Sequence, residues 1–140
     1  KSRYKRGWKT IMLVTSIPQY IQGLTNAKVD LTTTDNTVLY TAPTGAESNA
    51  SVINSILVHD SSNNGDTITV TLTDKDNNVF ELFEKSVAGH ATEEILTRDL
   101  ILQGGDIIKV QAGVANRLLV VASIQELIKT RITTSAISQI

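Results

Sequence analysis

Residues 66–73 read Asp66-Thr-Ile-Thr-Val-Thr-Leu-Thr73, a stretch in which isoleucine, valine and leucine alternate strictly with threonines. Alternation with a period of two, carried by β-branched side chains, is typical of a strand with one buried face. Two further apolar runs, 107–112 and 117–126, follow, and a short turn with Gly and Asn separates them. The stretch from 66 to 126 therefore predicts strand after strand and an all-β fold.

The same pattern of strands and turns extends over most of the chain. Further strands are predicted at residues 28–33, 37–41, 51–60 and 79–84. The apolar residues of 51–60 occupy both faces, as they do in a strand buried within a sandwich. Residues 92–102 fit either a strand or a single helical turn.

Turn signals separate these strands and indicate hairpins. Asn64-Gly65 tolerates the positive φ of a tight turn, so residues 61–65 predict a hairpin loop. Residues 74–78 predict another turn, and residues 113–116 predict the turn of a final hairpin between the two apolar runs. Strands that recur at roughly 8–12 residues are typical of a sandwich or jelly roll. We therefore predict a single antiparallel β-sandwich of jelly-roll type.

The predicted sandwich covers residues 27–127, between an N-terminal arm and lead-in (1–26) and a C-terminal extension (128–140). A chain of 140 residues is long enough for one such domain with a real core. Within the lead-in, residues 11–15 suggest a short strand, and residues 19–27 suggest a loop because neither period is clear there. The extension has spaced apolar residues and no Gly or Pro, which leaves an arm, an edge strand or a short helix open.

The composition narrows the possible classes of function. The chain has no cysteine, which excludes disulfides and thiolate metal sites. Aromatic residues make up only 4% of the chain, so the core must consist mainly of Val, Ile and Leu. No apolar run approaches the roughly 18 residues of a transmembrane helix, so no membrane partner is expected.

Charge is distributed unevenly along the chain. Five of the 13 Lys and Arg residues lie in the first nine positions, and the remainder carries eight basic residues against 14 acidic ones, a net charge of −6. The basic arm, which also holds Tyr4 and Trp8, could neutralise phosphates and stack on the bases of a nucleic acid. It could equally lie on an acidic neighbouring subunit, or remain a solvated tail. Of these we favour the protein neighbour.

Several polar clusters resemble metal or catalytic sites, and each has a simpler structural explanation. Residues 74–78 resemble a calcium loop, but an EF-hand needs Gly where this chain has Val79 and Glu where it has Lys85. A plain turn explains the same residues. His59 and His90 have no second ligand nearby in the sequence, and no nucleophile motif accompanies them, so a turn or surface position is expected for both.

Two other clusters are also explained without chemistry. A pair of glycosidase carboxyl groups faces a cleft, but Glu93 and Glu94 would point to opposite faces of a strand. The sequence Gly104-Gly105-Asp106 lacks the ending of a phosphate loop and precedes a predicted strand. The sequence therefore predicts no enzyme, no catalytic residue, and no cofactor or metal.

Four blocks follow one another in residues 37–126. The motif LYTxPxG lies within Val38–Gly45, and a hydrophobic strand that ends in a polar turn follows at Ile53–Asp60. A strand of the xVTVxLxD kind lies at Thr67–Asp74, and the last block, LxxGDxIxVxAxxANxLxVxxSxxE, corresponds to Leu102–Glu126. This order of segments resembles the one common in small β-sandwich structural proteins of tailed-bacteriophage particles.

The resemblance covers residues 37–126 and is carried by turn and core residues. It implies a non-enzymatic component of the virion, either a capsid decoration (cement) subunit or a neck, tail or fibre module. The implied partners are other virion proteins (major capsid, neck or tail subunits) and further copies of the chain in a homo-oligomer. A weak nucleic-acid contact through the N-terminal arm is a further expectation. The alternative is a receptor- or carbohydrate-binding module of a tail fibre, which the scarcity of aromatic residues disfavours.

Both ends of the chain fall outside the resemblance, and we expect particle-specific contacts there. Extended arms add contact area and become ordered on assembly, while flat β-faces and edge strands pack against neighbouring subunits. The candidate interface residues are therefore Lys1, Arg3, Tyr4, Lys5, Arg6, Trp8, Lys9, Ile128, Arg131, Ile132, Ile137 and Ile140.

Overall fold

The computed structural model describes residues 16–45 and 48–131 of the chain. The described residues form β-strands, turns and loops, and no helix among them is long and apolar enough to cross a membrane. The strands are β1 Ser16–Asp30, β2 Thr37–Thr41, β3 Ser48–Asp60, β4 Asp66–Thr73, β5 Val79–Val87, β6 Thr92–Glu94, β7 Leu100–Gln103, β8 Ile107–Ala112 and β9 Leu118–Arg131.

The strands form two antiparallel sheets that pack face to face. In the first, which we call the long sheet, the order is β1-β9-β3-β6, and β7 also pairs with β3. In the second, the short sheet, the order is β2-β8-β4-β5. The prediction of an all-β sandwich is therefore confirmed.

The strand pairs are nested along the chain. The first strand pairs with the last (β1 with β9), the second with the last but one (β2 with β8), β3 with β6 and β7, and β4 with β5. Nested pairs arise when one long hairpin rolls up, which also brings β9 beside β3 and β8 beside β4. The jelly-roll type of this sandwich stays a prediction.

The core lies between the sheets and consists of aliphatic side chains. Its fully buried members come from alternate positions of the paired strands, as the period-two pattern predicts. The largest of them are Leu31, Ile53, Ile56, Ile68, Leu102, Ile108, Leu118 and Ile124. All the buried apolar residues among those described are Leu, Ile, Val or Ala, which confirms the expected composition of the core.

Two of the predicted hairpins are wrong. Residues 61–65 connect β3 in the long sheet to β4 in the short sheet, and residues 113–117 likewise cross between β8 and β9. Both sides of β8 and both sides of β9 are already paired, so these two strands have no free edge for each other. Only residues 74–78 form the turn of a true hairpin, between β4 and β5.

The crossing after β8 is held by the start of β4. The Asp66 carboxylate accepts hydrogen bonds from the backbone N–H of Thr67 (2.7 Å) and of Val114 (2.9 Å). A side chain on Gly113 would come within 2.5 Å of the same carboxylate, so the close approach requires glycine there. The turn at residues 113–117 thus joins the short sheet to the long sheet.

The loop predicted at residues 19–27 is also wrong. These residues belong to β1, which pairs with β9 from Ser16↔Arg131 to Asp30↔Leu119. Register shifts between Ile17 and Tyr20, and between Ile21 and Gly23, interrupt the alternation and conceal the strand in the sequence. Strands β1 and β9 therefore run across both predicted boundaries of the sandwich, at 27 and 127. The short strand expected at residues 11–15 lies outside the described residues.

Candidate assembly surface

The long sheet turns one face to the core and the other to solvent. In β9 every second residue from Leu118 is buried, whereas Leu119 and Val121 point outward. The register places Leu57 of β3 on one side of Val121 and Lys28 of β1 on the other. Because directly paired residues share a face of the sheet, these side chains form one outer surface.

Five large apolar side chains on this surface are exposed. The exposed fractions are 74% for Leu24, 67% for Ile101, 41% for Leu57, 39% for Leu119 and 38% for Val121. A single exposed leucine is ordinary, but several on one sheet face are typical of an interaction surface. We call these five residues the apolar outer face.

The apolar outer face has two parts. Leu57, Leu119 and Val121 are neighbours near the end of the sheet where β9 begins. Leu24 and Ile101 lie at opposite edges of the sheet, on one line of paired residues that runs through β9 and β3. A shallow groove that contains the polar side chains of Asn26, Asn54, Ser123 and Gln125 lies beside Leu24.

The outer face of the short sheet has the opposite character. Thr67, Thr69, Thr71 and Thr73 of β4 point outward, and Lys109 and Gln111 of β8 lie beside them. The large exposed apolar residues of this face, Val38 and Val79, lie on the two edge strands rather than in the centre. The hydroxyl oxygens of Thr71 and Thr73 are buried and have no hydrogen-bond partner. The two outer faces are thus chemically different.

One edge of the long sheet is interrupted and then closed by a carboxylate. Strand β7 pairs with residues 50–53 of β3 and β6 pairs with residues 57–59, which leaves a gap between them. Glu94 fills this gap, because its carboxylate accepts hydrogen bonds from the Ile56 N–H (2.8 Å), the Leu96 N–H (3.2 Å) and the Ser55 hydroxyl. The Ile56 backbone in this gap is therefore satisfied within the chain, because its carbonyl also accepts from the Ile95 N–H (2.9 Å).

Glu93 and Glu94 point in opposite directions, as predicted for adjacent strand residues. Glu93 forms a salt bridge of 3.4 Å with Lys85 of the short sheet, and the Lys85 ammonium also donates to the Glu94 carbonyl oxygen (3.3 Å). Both charged side chains are about two-fifths exposed (44% and 38%), so the pair contributes little to stability. Neither carboxylate is available as half of a catalytic pair.

A partly buried tyrosine links the two sheets. The Tyr40 hydroxyl of β2 donates to the Glu126 carboxylate of β9 (2.5 Å) and lies 2.9 Å from the hydroxyl of Ser51 in β3. Since the tyrosine proton is directed to Glu126, Ser51 is the donor in the second bond. Burial raises the pKa of Tyr40, and the bond to Glu126 raises it further, to about 12. The network is a structural clamp in which the phenol stays neutral.

The turn at residues 74–78 uses its own side chains. The Asp74 carboxylate accepts hydrogen bonds from the N–H groups of Asp76 and Asn78 (both 2.9 Å) and from the Asn78 amide (3.1 Å). The bonds from Asn78 hold the pKa of Asp74 below its usual value. The carboxylate that would begin a calcium loop is therefore engaged, and the described residues contain no cluster of three potential metal ligands.

Asp60 is the most deeply buried carboxylate of the described part. Its Oδ1 accepts hydrogen bonds from the Ser62 N–H (2.7 Å) and hydroxyl (2.6 Å), while its Oδ2 has no partner. Burial raises the pKa of Asp60, but the bonds from Ser62, with the charges of Arg117 and His90, outweigh it and lower the pKa overall. The Arg117 guanidinium also donates a hydrogen bond to the Gly65 carbonyl (2.7 Å). Arg117 therefore connects the loop between β8 and β9 to the loop between β3 and β4.

The two histidines are accounted for by local structure. His59 was expected in a turn or on the surface; it lies in β3, and its Nδ1 is 2.8 Å from the Thr92 hydroxyl of β6. His90 lies in the loop before β6, with a positive φ of 58°, and its backbone N–H donates to the Ser62 carbonyl (3.0 Å). Both contacts stabilise chain connections.

The described structure contains only two of the twelve predicted interface residues. Ile128 and Arg131 lie in β9, and the other ten predicted residues lie outside the described part. The apolar outer face was not predicted as a site. The signal for it was present in residues 51–60, where apolar residues occupy both faces of a strand that was expected to be buried, and in the apolar run 117–126.

No family model and no curated protein matches the chain. Among solved structures, a chain from the acid-stable capsid of Helicobacter pylori bacteriophage KHP30 is 12% identical, with a TM-score of 0.48, 82% of this chain covered and 94% of the other. A chain from the disulfide-linked pili of Bacillus endospore appendages is 10% identical, with a TM-score of 0.47 and coverages of 85% and 91%. Eiger TNF from S. frugiperda is 11% identical, with a TM-score of 0.40 and coverages of 85% and 92%. All three scores are below 0.5, so nothing about the function of this chain follows from them.

Proposed function

We propose that the chain is a non-enzymatic structural component of a bacteriophage particle and that it contacts its neighbours through the apolar outer face. The observation that carries the structural role is the exposure of Leu24, Leu57, Ile101, Leu119 and Val121 on one sheet face. The phage setting is supported by the resemblance of residues 37–126 to virion proteins. Capsid decoration, or a position in the neck or tail, is the form of this role that we propose.

The polar residues support an assembly role rather than chemistry. Four carboxylates of the described part hold the fold: Glu94 closes a gap in a sheet edge, Asp60 and Asp66 hold crossing loops, and Asp74 closes a turn. These carboxylates stabilise the sandwich itself, so we propose that the chain acts through contacts made by its outer surfaces.

The two terminal segments are attached at one place. Ser16 of β1 is paired with Arg131 of β9, so residues 1–15 and 132–140 both leave from the same end of the long sheet. We propose that these segments add contacts to virion proteins at the end of the long sheet opposite Leu57, Leu119 and Val121. The basic residues of the first segment suit an acidic protein neighbour, with nucleic acid as the weaker candidate.

Occupancy of the particle tests the proposal. Particles assembled with Val121→Thr should retain less of the chain than native particles, whereas Val38→Thr, the same change on the outer face of the short sheet, should leave occupancy unchanged. Quantitative mass spectrometry of purified particles gives the number of copies. Equal occupancy for the two variants would remove the apolar outer face from the proposal.

Truncations test the terminal segments separately. Deletion of residues 1–9, or of residues 132–140, should lower occupancy while the thermal unfolding of the isolated chain changes little. The second deletion starts after Arg131 because β9 ends there. Unchanged occupancy would show that the segments are not needed for assembly. Specific retention of the native chain on a glycan array would instead favour the receptor-binding alternative.

A further inference from the structure

The two sheets of the described part have four edges, and three of them are short or interrupted. Strand β2 has five residues, and β5 has a register shift opposite Val70 and Thr71 and carries Glu81, Glu84 and Lys85. The edge formed by β6 and β7 is split and closed by Glu94. Short length, irregularity and charge are the means by which proteins prevent unwanted pairing at a sheet edge.

The fourth edge, β1, is neither short nor irregular over its second half, although it carries Lys28 and Asp30. From Gly23↔Glu126 to Asp30↔Leu119 it pairs with β9 without a register shift and contains no proline. The Leu31 N–H donates to the Leu118 carbonyl (3.0 Å), so the backbone N–H of Leu31 is turned toward β9. In an antiparallel ladder alternate residues turn their backbone groups to the partner. The N–H groups of Leu24, Asn26, Lys28 and Asp30 therefore point away from β9, toward the free edge.

We infer that a second copy of this chain adds its own β1 to this edge, antiparallel and about a two-fold axis, so that the two long sheets become one. The inference deepens the proposed structural role, on which it rests, by naming one partner and the surface that binds it. A two-fold contact uses the same surface twice, and the free edge supplies donors and acceptors at the same alternate positions in both copies.

Charge and shape favour pairing near the middle of this segment. A two-fold axis at Asn26 places Leu24 opposite Lys28 of the partner subunit, and an axis at Ala27 places Asn26 there; neither opposes like charges. An axis at Lys28 would place two ammonium groups face to face, which is destabilising. In the Asn26 arrangement the aliphatic stem of lysine covers Leu24, the most exposed large apolar residue of the described part. The apolar outer faces of the two copies then adjoin.

A proline at position 26 tests the inference without breaking the fold. Asn26→Pro removes an N–H that points to the free edge, where β9 does not need it, and proline is tolerated at such edge positions. We expect the native full chain to sediment as a dimer and Asn26→Pro to raise the dimer dissociation constant at least about 10-fold, the loss of one or two net hydrogen bonds. Asn26→Ala, which keeps the N–H, is the matched control and should stay within about three-fold of the native value.

Hydrogen exchange of the native chain provides a second test if Asn26→Pro does not fold. The amides of Leu24, Asn26 and Lys28 should become more protected as protein concentration rises, because only a second copy covers them. A native chain that stays monomeric, or a dimer that is equally strong in Asn26→Pro, would overturn the inference. Protection that is independent of concentration would also overturn it, since residues of the same chain would then cover the edge.

The outcomes separate this inference from the proposed function. If Asn26→Pro is monomeric and particle occupancy falls only with Val121→Thr, both the edge contact and the outer-face contact stand as distinct surfaces. A native monomer whose occupancy still depends on Val121 would overturn the edge contact alone. A stable edge dimer that is never incorporated into particles would overturn the phage role alone.

Discussion

The strands of the two sheets follow the same alternating pattern of residues, but the outer face of the long sheet is apolar and that of the short sheet is polar. On β9 the residues that face outward include Leu119 and Val121, whereas on β4 they are threonines such as Thr69 and Thr71. Valine and threonine are both β-branched and both favour strands, so the choice between them hardly affects whether a strand forms. It decides what the finished face can bind: apolar side chains gain free energy when a neighbour covers them, whereas a covered hydroxyl group costs free energy unless it finds a hydrogen-bond partner.

The edges of the sheets differ in the same way. Glu94 bridges the gap between β6 and β7 at one edge of the long sheet, while the N–H groups of Leu24, Asn26 and Lys28 at the β1 edge have no partner among the described residues. One sheet is therefore closed on one side and open on the other, and the short sheet has two short or irregular edges. The long sheet is the part of the molecule suited to contacts, and the short sheet completes the core.

The largest effect on stability is expected from opening the closed edge. Glu94→Ala should lower the free energy of unfolding by about 2 kcal/mol, because the N–H groups of Ile56 and Leu96 lose a charged acceptor. Urea denaturation measures the change. Glu93→Ala, which removes only the exposed salt bridge to Lys85, is the control and should cost less than about 1 kcal/mol. Equal losses for the two variants would contradict the role given to Glu94.

The clamp between the sheets should have the next largest effect. Tyr40→Phe removes the hydrogen bonds to Glu126 and Ser51 and should lower the free energy of unfolding by about 1–2 kcal/mol. The raised pKa of Tyr40 means that the fold favours the neutral phenol. Its stabilisation is therefore fully present below pH 10 and is lost as the pH rises through about 12.

Thermal unfolding across the alkaline range checks this pH dependence. The native chain should lose stability more steeply than Tyr40→Phe between pH 10 and 12, since only the native chain has this phenol to ionise. Parallel curves would show that ionisation of Tyr40 is not coupled to folding.

A smaller effect, of opposite sign, is expected on the short sheet. The Thr71 hydroxyl is buried without a partner, so Thr71→Val should raise the free energy of unfolding by about 1 kcal/mol. Thr69→Val, at a half-buried neighbour on the same face, should change it by less than about 0.5 kcal/mol. Chemical denaturation distinguishes them, and destabilisation by Thr71→Val would indicate that the hydroxyl has an acceptor.

The smallest effect on stability is expected where the effect on assembly is greatest. Val121→Thr and Val38→Thr both change an exposed β-strand residue and should alter the free energy of unfolding by less than about 0.5 kcal/mol each. Unfolding curves of the isolated chain provide the measurement. A large loss for Val121→Thr alone would mean that the residue is part of the core, and its effect on particle occupancy would then no longer report on contacts.

Much of the fold was predictable because its signals are local. The alternation in residues 66–73 and 107–112 predicted β4 and β8 with their ends in place. The turn residues were also located correctly: Gly65, Gly105 and Asn116 adopt the positive φ that such positions allow. The strand at residues 19–27 was missed because two register shifts in β1 remove the alternation on which prediction depends.

The surface was less predictable than the fold. A run with apolar residues on both faces, such as 51–60, is typical of a strand covered on two sides, and that is why Leu57 was assigned to the interior. Nothing in the spacing of residues tells whether the second cover is part of the same chain or a neighbouring molecule. The basic arm was predicted as an interface because charge can be read directly from the sequence, whereas the exposure of a sheet face depends on the tertiary structure.

By itself, the sequence determined most of the strands and turns, though not the strand at residues 19–27, and it determined which side chains are aliphatic enough to form a core. These features depend mainly on neighbours along the chain. Only the tertiary structure decided which turns are hairpins and which cross between sheets. The sequence marks both 74–78 and 113–116 as turns, but the first joins paired strands and the second joins strands whose edges are already occupied. Pairing depends on which edges are free once the whole chain has rolled up, and that is a property of distant segments.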